Sequence, residues 1–190
     1  MLVWTIVAVA AVMAIYAIVV FNRLVRARQM VNEAWSGIDV QLKRRSDLVP
    51  NLVETVKAYA AHERAVLEEV TALRGAAGML AHDDVTARAK AEGALSAALG
   101  RVLMLAENYP DLKASANFLE LQKELVTLED DLQMARRYYN GAVRNLNVLV
   151  QSFPDKLVAG AFAFPARDYF ELPDPGARNP PRVQFSGSVP

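Results

Sequence analysis

The chain opens with an uninterrupted run of apolar side chains, and its later apolar positions are spaced for helices. From Leu2 to Phe21 the sequence is LVWTIVAVAAVMAIYAIVVF, which contains no charged residue. About twenty apolar residues can cross the hydrocarbon core of a bilayer as a helix, which satisfies its own backbone hydrogen bonds there. The pattern predicts a transmembrane anchor over residues 1–22. Its members include Leu2, Trp4, Ala10, Ala14 and Phe21.

A cleaved signal peptide is the alternative for this run. Such a peptide carries basic residues before a shorter apolar stretch and small residues at its cleavage site. Here no Lys or Arg precedes the run, which ends in VVFNR, so we predict a retained anchor. Arg23, Arg26 and Arg28 follow at once. By the positive-inside rule they place the N-terminus outside and the body of the chain in the cytoplasm.

Helical periodicity continues from residue 23 to residue 153. Its clearest part has two apolar series that each repeat every seven residues. They are Phe118, Leu125, Leu132, Tyr139, Leu146 and Phe153, and Leu121, Leu128, Ala135, Ala142 and Leu149. A strict seven-residue repeat predicts left-handed, coiled-coil-like packing against other helices. Good helix formers dominate and strand alternation is absent. We therefore predict an all-α fold with an antiparallel long-helix bundle over residues 23–153.

The number of helices depends on Pro50. Ser46 or Asp47 could cap a new helix with Pro50 in its first turn, where a missing N–H costs little. The apolar phase, however, continues across Pro50 to Leu52 and is broken only at Arg45. That continuity also suits one long helix kinked at Pro50. We favour four antiparallel helices and keep a kinked two-helix hairpin as the alternative. Asp83 or Asp84 fits the N-cap of the third segment.

Aromatic side chains crowd residues 154–172, after the last predicted long helix. Aromatic residues beside a bundle usually pack, and we favour the interpretation that they seal its core. The alternative is that they lie at the membrane interface, which favours aromatic and basic side chains. The candidates for that interface are Phe162, Phe164, Tyr169 and Phe170. Residues 173–190 are rich in Pro, Gly, Asn and Ser and are predicted to be a disordered tail.

Composition and spacing exclude several kinds of chemistry. Lys+Arg and Asp+Glu balance at 21 each, so the chain offers no bulk basic charge for nucleic acid. The absence of cysteine rules out disulfides and thiolate chemistry. His62 and Glu63 resemble the start of a zinc-protease helix, but Val66 occupies the place of the required second histidine. We identify no catalytic, cofactor-binding or metal site and predict a protein that is not an enzyme.

Two polar features remain. The basic run Lys43, Arg44 and Arg45 is most simply a solvated helix end, where the helix dipole favours cations; its alternative is a binding site for an acidic partner. Asparagines are more numerous on the helices than helix propensity would choose. They are Asn32, Asn51, Asn117, Asn140, Asn145 and Asn147. Because buried Asn can fix register or oligomeric state, we hypothesise that Asn→Leu at inward positions raises the melting temperature and loosens assembly.

Three stretches resemble the LemA family of bacterial membrane proteins. They are AWSGIDVQLKRR from residue 34, ENYPDLKA from residue 107, and ARRYYN, QSFP and YFE within residues 135–171. Departures from the family pattern are few: Ser46, Leu146, and Ala163 in place of the glycine of a usual Phe-Gly-Phe. Because Ala163 stands there, we assign that position no special backbone role.

The resemblance implies a single-pass anchor with its N-terminus outside, a helical bundle in the cytoplasm, and location in the bacterial cytoplasmic membrane. It does not imply an enzyme. The genomic company of the family suggests another membrane protein, such as a membrane metalloprotease, as a partner. Our leading hypothesis is a membrane-anchored scaffold that forms a homo-oligomer or docks such a partner. The alternative is a lipid-interacting helical protein that senses or shapes the membrane.

Overall fold

A computed structural model describes residues 1–81 and 84–171, and these residues form helices and no strand. The helices are α1 (Leu2–Tyr59), α2 (Arg64–Gly78), α3 (Val85–Ala106), α4 (Pro110–Lys113), α5 (Ala116–Gln151) and α6 (Asp155–Ala161). The all-α prediction is confirmed. The predicted disordered tail, residues 173–190, lies outside the described residues.

Helix α1 contains both the predicted anchor and the first part of the bundle. It is 58 residues long, or about 87 Å at the usual helical rise. The boundary that we drew between residues 22 and 23 therefore falls inside one helix. Helix α5 is 36 residues long and runs antiparallel to α1 as its main packing partner. Helices α2 and α3 pack chiefly on each other, and α2 also contacts α1.

The helix break that we favoured at Pro50 does not occur, because α1 continues through Pro50 to Tyr59. A proline inside a helix removes the N–H that would bind the carbonyl four residues earlier, which here belongs to Ser46. Arg74 of α2 donates from Nε to that carbonyl at 2.7 Å. A neighbouring helix thus supplies the missing donor. The long bundle helices are α1, α2, α3 and α5, and α1 is not divided.

The interior contains two apolar clusters along α1. The proximal cluster, nearer the apolar run, is formed by α1, α5, α6 and the chain after α6, with Ala89 of α3. The distal cluster lies beyond Arg45 and is formed by α1, α2, α3, α4 and the start of α5. The seven-residue seam of α5 faces the interior from Phe118 to Leu146, where its members are buried except for the half-buried Leu121 and Ala135. Phe153 follows the end of α5 and is exposed, so its assignment to the seam is wrong.

Helix α3 begins as predicted. The carboxylate of Asp84 accepts a hydrogen bond from the Ala87 N–H at 2.9 Å, which satisfies one of the free donors of the first turn. The helix ends at Ala106, shortly before Tyr109 and Pro110, and Pro110 starts α4 in a position where no N–H is needed.

The contact between Arg74 and the Ser46 carbonyl predicts a measurable coupling with Pro50. Arg74→Leu leaves a half-buried carbonyl without its donor and should lower the free energy of unfolding by about 1 kcal/mol. In a Pro50→Ala background the new N–H can bind that carbonyl, so Arg74→Leu should cost distinctly less. Urea unfolding in detergent, followed by circular dichroism, measures the four variants of this cycle.

Arg64→Leu is the matched control, because it removes an exposed guanidinium from the same helix. It should change the free energy of unfolding equally in both backgrounds. If Arg74→Leu costs the same with and without Pro50, its hydrogen bond does not replace the one that proline removes.

Candidate functional site

A layer of charged side chains separates the proximal from the distal cluster, and Arg45 lies at its centre. Arg45 occupies an inward position of α1 and is only 1% exposed. Its Nη1 donates to Ser96 Oγ at 2.5 Å and to Glu129 Oε2 at 3.2 Å. Its Nη2 donates to the Glu92 carboxylate and, at 3.3 Å, to the Glu92 carbonyl. One guanidinium therefore connects α1 with α3 and α5.

Further ion pairs surround this centre. Arg88 contacts Asp39 at 3.1 Å and Glu92 at 3.7 Å, and Arg136 contacts Glu129 at 3.7 Å. We call Asp39, Arg45, Arg88, Glu92, Ser96, Glu129 and Arg136 the polar layer. It pairs three guanidinium groups with three carboxylates, which is how buried charge is tolerated. Burial lowers the pKa of the Arg136 guanidinium. Each group of the layer is bound to another, so the arrangement joins helices and presents no free nucleophile or base.

The basic run Lys43, Arg44 and Arg45 does not form one surface. Lys43 is exposed and pairs with Asp47 at 2.5 Å. Arg44 is also exposed and donates to Gln41 Oε1 at 3.3 Å. Our interpretation of Arg45 as a solvated cation is wrong, because it is buried against carboxylates of its own chain and α1 does not end there. An acidic partner at Lys43 and Arg44 stays a prediction.

The last turns of the apolar run of α1 are covered by a second structure, which we call the collar: α6 and the residues after it to Phe164. Tyr16 donates its hydroxyl to Asp155 Oδ1 at 2.5 Å, and Arg23 lies 3.7 Å from the same carboxylate. The ring of Phe21 packs edge-on against Phe162, with 4.9 Å between ring centroids. The collar is therefore fixed to α1 at the end of the predicted anchor. Before Tyr16, residues 1–15 of the chain are exposed.

The predicted interface residues divide into two groups. Phe164 and Phe170 are buried in the proximal cluster, where Phe170 lies 5.9 Å from Trp35 and the Arg28 guanidinium lies 5.0 Å above the Phe164 ring. Their assignment to a membrane interface is wrong, and our preferred assignment to the core is correct for them. Phe162 and Tyr169 are exposed, so an interface role for these two stays a prediction.

Two asparagines of α5 hold the chain that follows the collar. Asn147 donates to the Arg167 carbonyl at 2.9 Å and accepts from the Arg167 N–H at 2.8 Å. Asn140, two helical turns away, makes the same pair of bonds with Phe170 at 3.1 and 2.8 Å. Tyr139 donates to the Asp168 carbonyl at 3.0 Å, and burial raises its pKa. These asparagines therefore bind backbone of their own chain, which our hypothesis on oligomeric state missed.

Ala163 does have a special backbone role, contrary to our expectation. Its φ is 51°, in the left-handed region that favours glycine. This conformation lets the Phe164 N–H bind the Ala159 carbonyl at 2.9 Å and the Ala163 N–H bind the Gly160 carbonyl at 3.3 Å. Together these bonds form a Schellman motif at the end of α6. The motif turns the chain so that Phe164 enters the proximal cluster.

The described residues contain no group of three His, Cys, Asp or Glu side chains arranged to hold a metal ion. Glu63, which we had tested as part of a zinc motif, accepts a hydrogen bond from the Tyr109 hydroxyl at 3.0 Å. That bond raises the pKa of Tyr109. Within the described part of the chain, α1 is the one helix whose length and apolar composition suit a membrane span.

Sequence comparison with known proteins identifies one family. A model described as LemA family matches residues 34–185. Magnetosome protein MamQ 2 of Paramagnetospirillum magneticum is 24% identical over 175 residues, covering 80% of this chain and 64% of that protein. Magnetosome protein MamQ of Magnetospirillum gryphiswaldense is 24% identical over 174 residues, covering 79% and 64%. Protein LemA of Metamycoplasma hominis is 27% identical over 140 residues, covering 73% and 63%. The chain thus spans just under two thirds of the length of these relatives.

The polar layer predicts that losing one member of its central pair is costly. Arg45→Leu leaves the buried Glu92 carboxylate without its main counterion and should lower the free energy of unfolding by about 3–5 kcal/mol. Arg45→Leu combined with Glu92→Leu should recover much of that loss, because no unpaired charge then remains. Arg44→Leu, one residue away and exposed, should change it by less than about 0.5 kcal/mol. Equal costs for Arg44→Leu and Arg45→Leu would contradict this account.

The asparagine contacts predict a local release of the chain after the collar. Asn147→Leu removes both hydrogen bonds to Arg167 and should lower the melting temperature, since about 1–3 kcal/mol is lost when buried polar groups are left unpaired. Trypsin should then cut after Arg167 faster. Asn145→Leu, two residues earlier and exposed, should leave the rate of cutting unchanged. A higher melting temperature for Asn147→Leu would restore our original hypothesis.

Proposed function

The chain belongs to the LemA family, and on that basis we propose that it is a membrane-anchored, non-enzymatic scaffold. In this proposal the apolar run of α1 spans the membrane and the helical bundle presents a binding surface beside it. The bound partner is a second copy of the chain or another membrane protein.

The continuity of α1 is the observation that carries this proposal. The same helix includes residues 2–15, which are exposed and almost all apolar, and the buried face of the bundle, with no loop between them. Helix α1 extends about 57 Å from Phe21 to Tyr59. A bundle fixed in this way is held at a defined distance and angle from its anchor, which is the mechanical requirement of a scaffold. The polar layer supports the same interpretation, because it joins helices and offers no reactive group.

Charge supports one orientation of the anchor. Arg23, Arg26 and Arg28 follow the apolar run at once. We therefore propose that the chain lies in the bacterial cytoplasmic membrane with its N-terminus outside and the bundle in the cytoplasm.

Exposed apolar side chains along α5 support binding of a partner. Leu119, Val126, Met134 and Tyr138 are each about half exposed and lie on one side of that helix. Surfaces that bind other proteins are enriched in aromatic residues and methionine, and Tyr138 and Met134 fit that composition. We propose a second copy of the chain as the first occupant. The other kind of occupant is a different membrane protein, for which the family resemblance suggests a membrane metalloprotease.

The mass of the full chain in detergent tests this proposal. Light scattering should give a protein mass of at least twice the 20.9 kDa of the chain. An assembly held by a sizeable interface should keep that mass on about tenfold dilution. Val126→Lys should shift it toward one chain, since a charge enters the apolar stripe. Thr86→Lys places the same charge at an exposed position of α3, away from the α5 stripe, and should leave the mass unchanged.

Crosslinking in native membranes separates the two kinds of partner. Self-crosslinks lost in Val126→Lys identify a homo-oligomer. Crosslinks to one other membrane protein, lost in the same variant, identify a docked partner. A chain that stays monomeric and yields neither product overturns the scaffold proposal.

A further inference from the structure

We propose that Phe153, Leu157 and Phe162 form a second lipid-binding site, which lies in the interface of the membrane that anchors α1. This inference rests on the proposed anchoring of α1, and it assigns lipid contact to a surface outside the anchor. The occupant is the phospholipid bilayer itself.

The position of the collar along α1 determines its depth in the membrane. The apolar run ends at Phe21 and the first charge is Arg23, so the edge of the hydrocarbon core falls near these residues. Asp155 contacts residues on both sides of that edge, Tyr16 at 2.5 Å and Arg23 at 3.7 Å. Tyr16 lies about 8 Å below Phe21 along the helix axis. The collar is therefore at the depth of the headgroups and the first acyl carbons.

Large apolar side chains are exposed on the collar and directly before it. Leu157 of α6 is 60% exposed, Phe162 at the end of α6 is 58% exposed, and Phe153, just before the collar, is 75% exposed. Val158 and Ala159 of α6 are instead buried in the proximal cluster. Single exposed apolar residues are ordinary on protein surfaces, but here three large ones fall within ten residues of the chain, and we call these three the patch. The patch continues the apolar surface of α1, because Phe162 packs directly on Phe21.

The charges around the patch agree with a lipid surface. Lys156 is exposed, and the Arg23 side chain is 53% exposed. Interfacial segments combine apolar residues with Lys and Arg in this way, since the cations meet lipid phosphates. The nearest carboxylate, that of Asp155, is held by Tyr16 and Arg23 and turns toward α1. A second contact of this kind would stop the bundle from tilting freely about its anchor.

Site-specific labelling tests this inference in the full chain, which contains no cysteine to be removed. Leu157→Cys and, separately, Phe162→Cys are labelled with a polarity-sensitive fluorophore and reconstituted in vesicles of phosphatidylcholine and phosphatidylglycerol. Ala10→Cys is the matched site inside the anchor, and Glu120→Cys is an exposed site far along α5. Quenching is measured with spin-labelled acyl chains and with aqueous iodide, and circular dichroism verifies that each variant is folded.

Lipid quenching at positions 157 and 162 should come within about two-fold of that at position 10, while position 120 is quenched only by iodide. Lipid quenching at position 10 but not at 157 or 162 overturns this inference and leaves the anchor intact. Protection of 157 and 162 from both quenchers also overturns it, because a protein then covers the patch. Absence of lipid quenching at position 10 overturns the anchoring, and with it the proposed function.

Discussion

One unbroken helix, α1, determines where every other element of the described chain can lie. The collar binds it around Tyr16 to Arg23, the polar layer meets it at Arg45, and α2 supplies a donor to it at Ser46. A helix rises by a fixed increment per residue, so these contacts are set at fixed heights above the apolar run. Because α1 continues past Pro50, the spacing between these contacts along its axis is fixed. Arg74 of α2 supports this continuity by donating to the Ser46 carbonyl, which the proline cannot do.

The polar layer explains how long helices with a regular apolar repeat choose one alignment. Because the seam of α5 repeats every seven residues, a slip of two turns against α1 would still bring apolar residues together. It would also take Arg45 of α1 away from Glu129 of α5, while Glu92 of α3 still holds the same guanidinium. A buried ion pair adds little net stability compared with aliphatic side chains of similar size, but a buried charge without its partner is severely destabilising. We therefore infer that the polar layer selects the register of α5 against α1 and contributes less to overall stability.

Periodicity alone predicted the helices, the seam of α5 and the cap at Asp84, because these depend on residues close together in sequence. It could not predict contacts that join distant residues. Arg45 was visible as the one break in an apolar series, and that break was the signal of a buried charge. Asn140 and Asn147 are also seven residues apart, each directly after a seam residue. Nothing in one sequence shows that their partners are the backbone groups of residues 167–170. Likewise, sequence could not separate the buried Phe164 from the exposed Phe162, since Ala163 sends them in different directions only through its left-handed φ.

Residues 167–170 are held at the proximal cluster through their backbone. Asn140, Asn147 and Tyr139 bind main-chain groups, so they fix the path of this segment without regard to most of its side chains. The Schellman motif at Ala163 likewise fixes direction by backbone geometry. The side chains that are specified, Phe164 and Phe170, fill the proximal cluster beside Trp35. The exposed aromatic residues differ from these: Tyr169 is 40% exposed, and Phe162 is 58% exposed although its ring packs on Phe21. Packing on Phe21 accounts for part of the Phe162 ring, and the exposed part, next to the apolar end of α1, needs an explanation from binding.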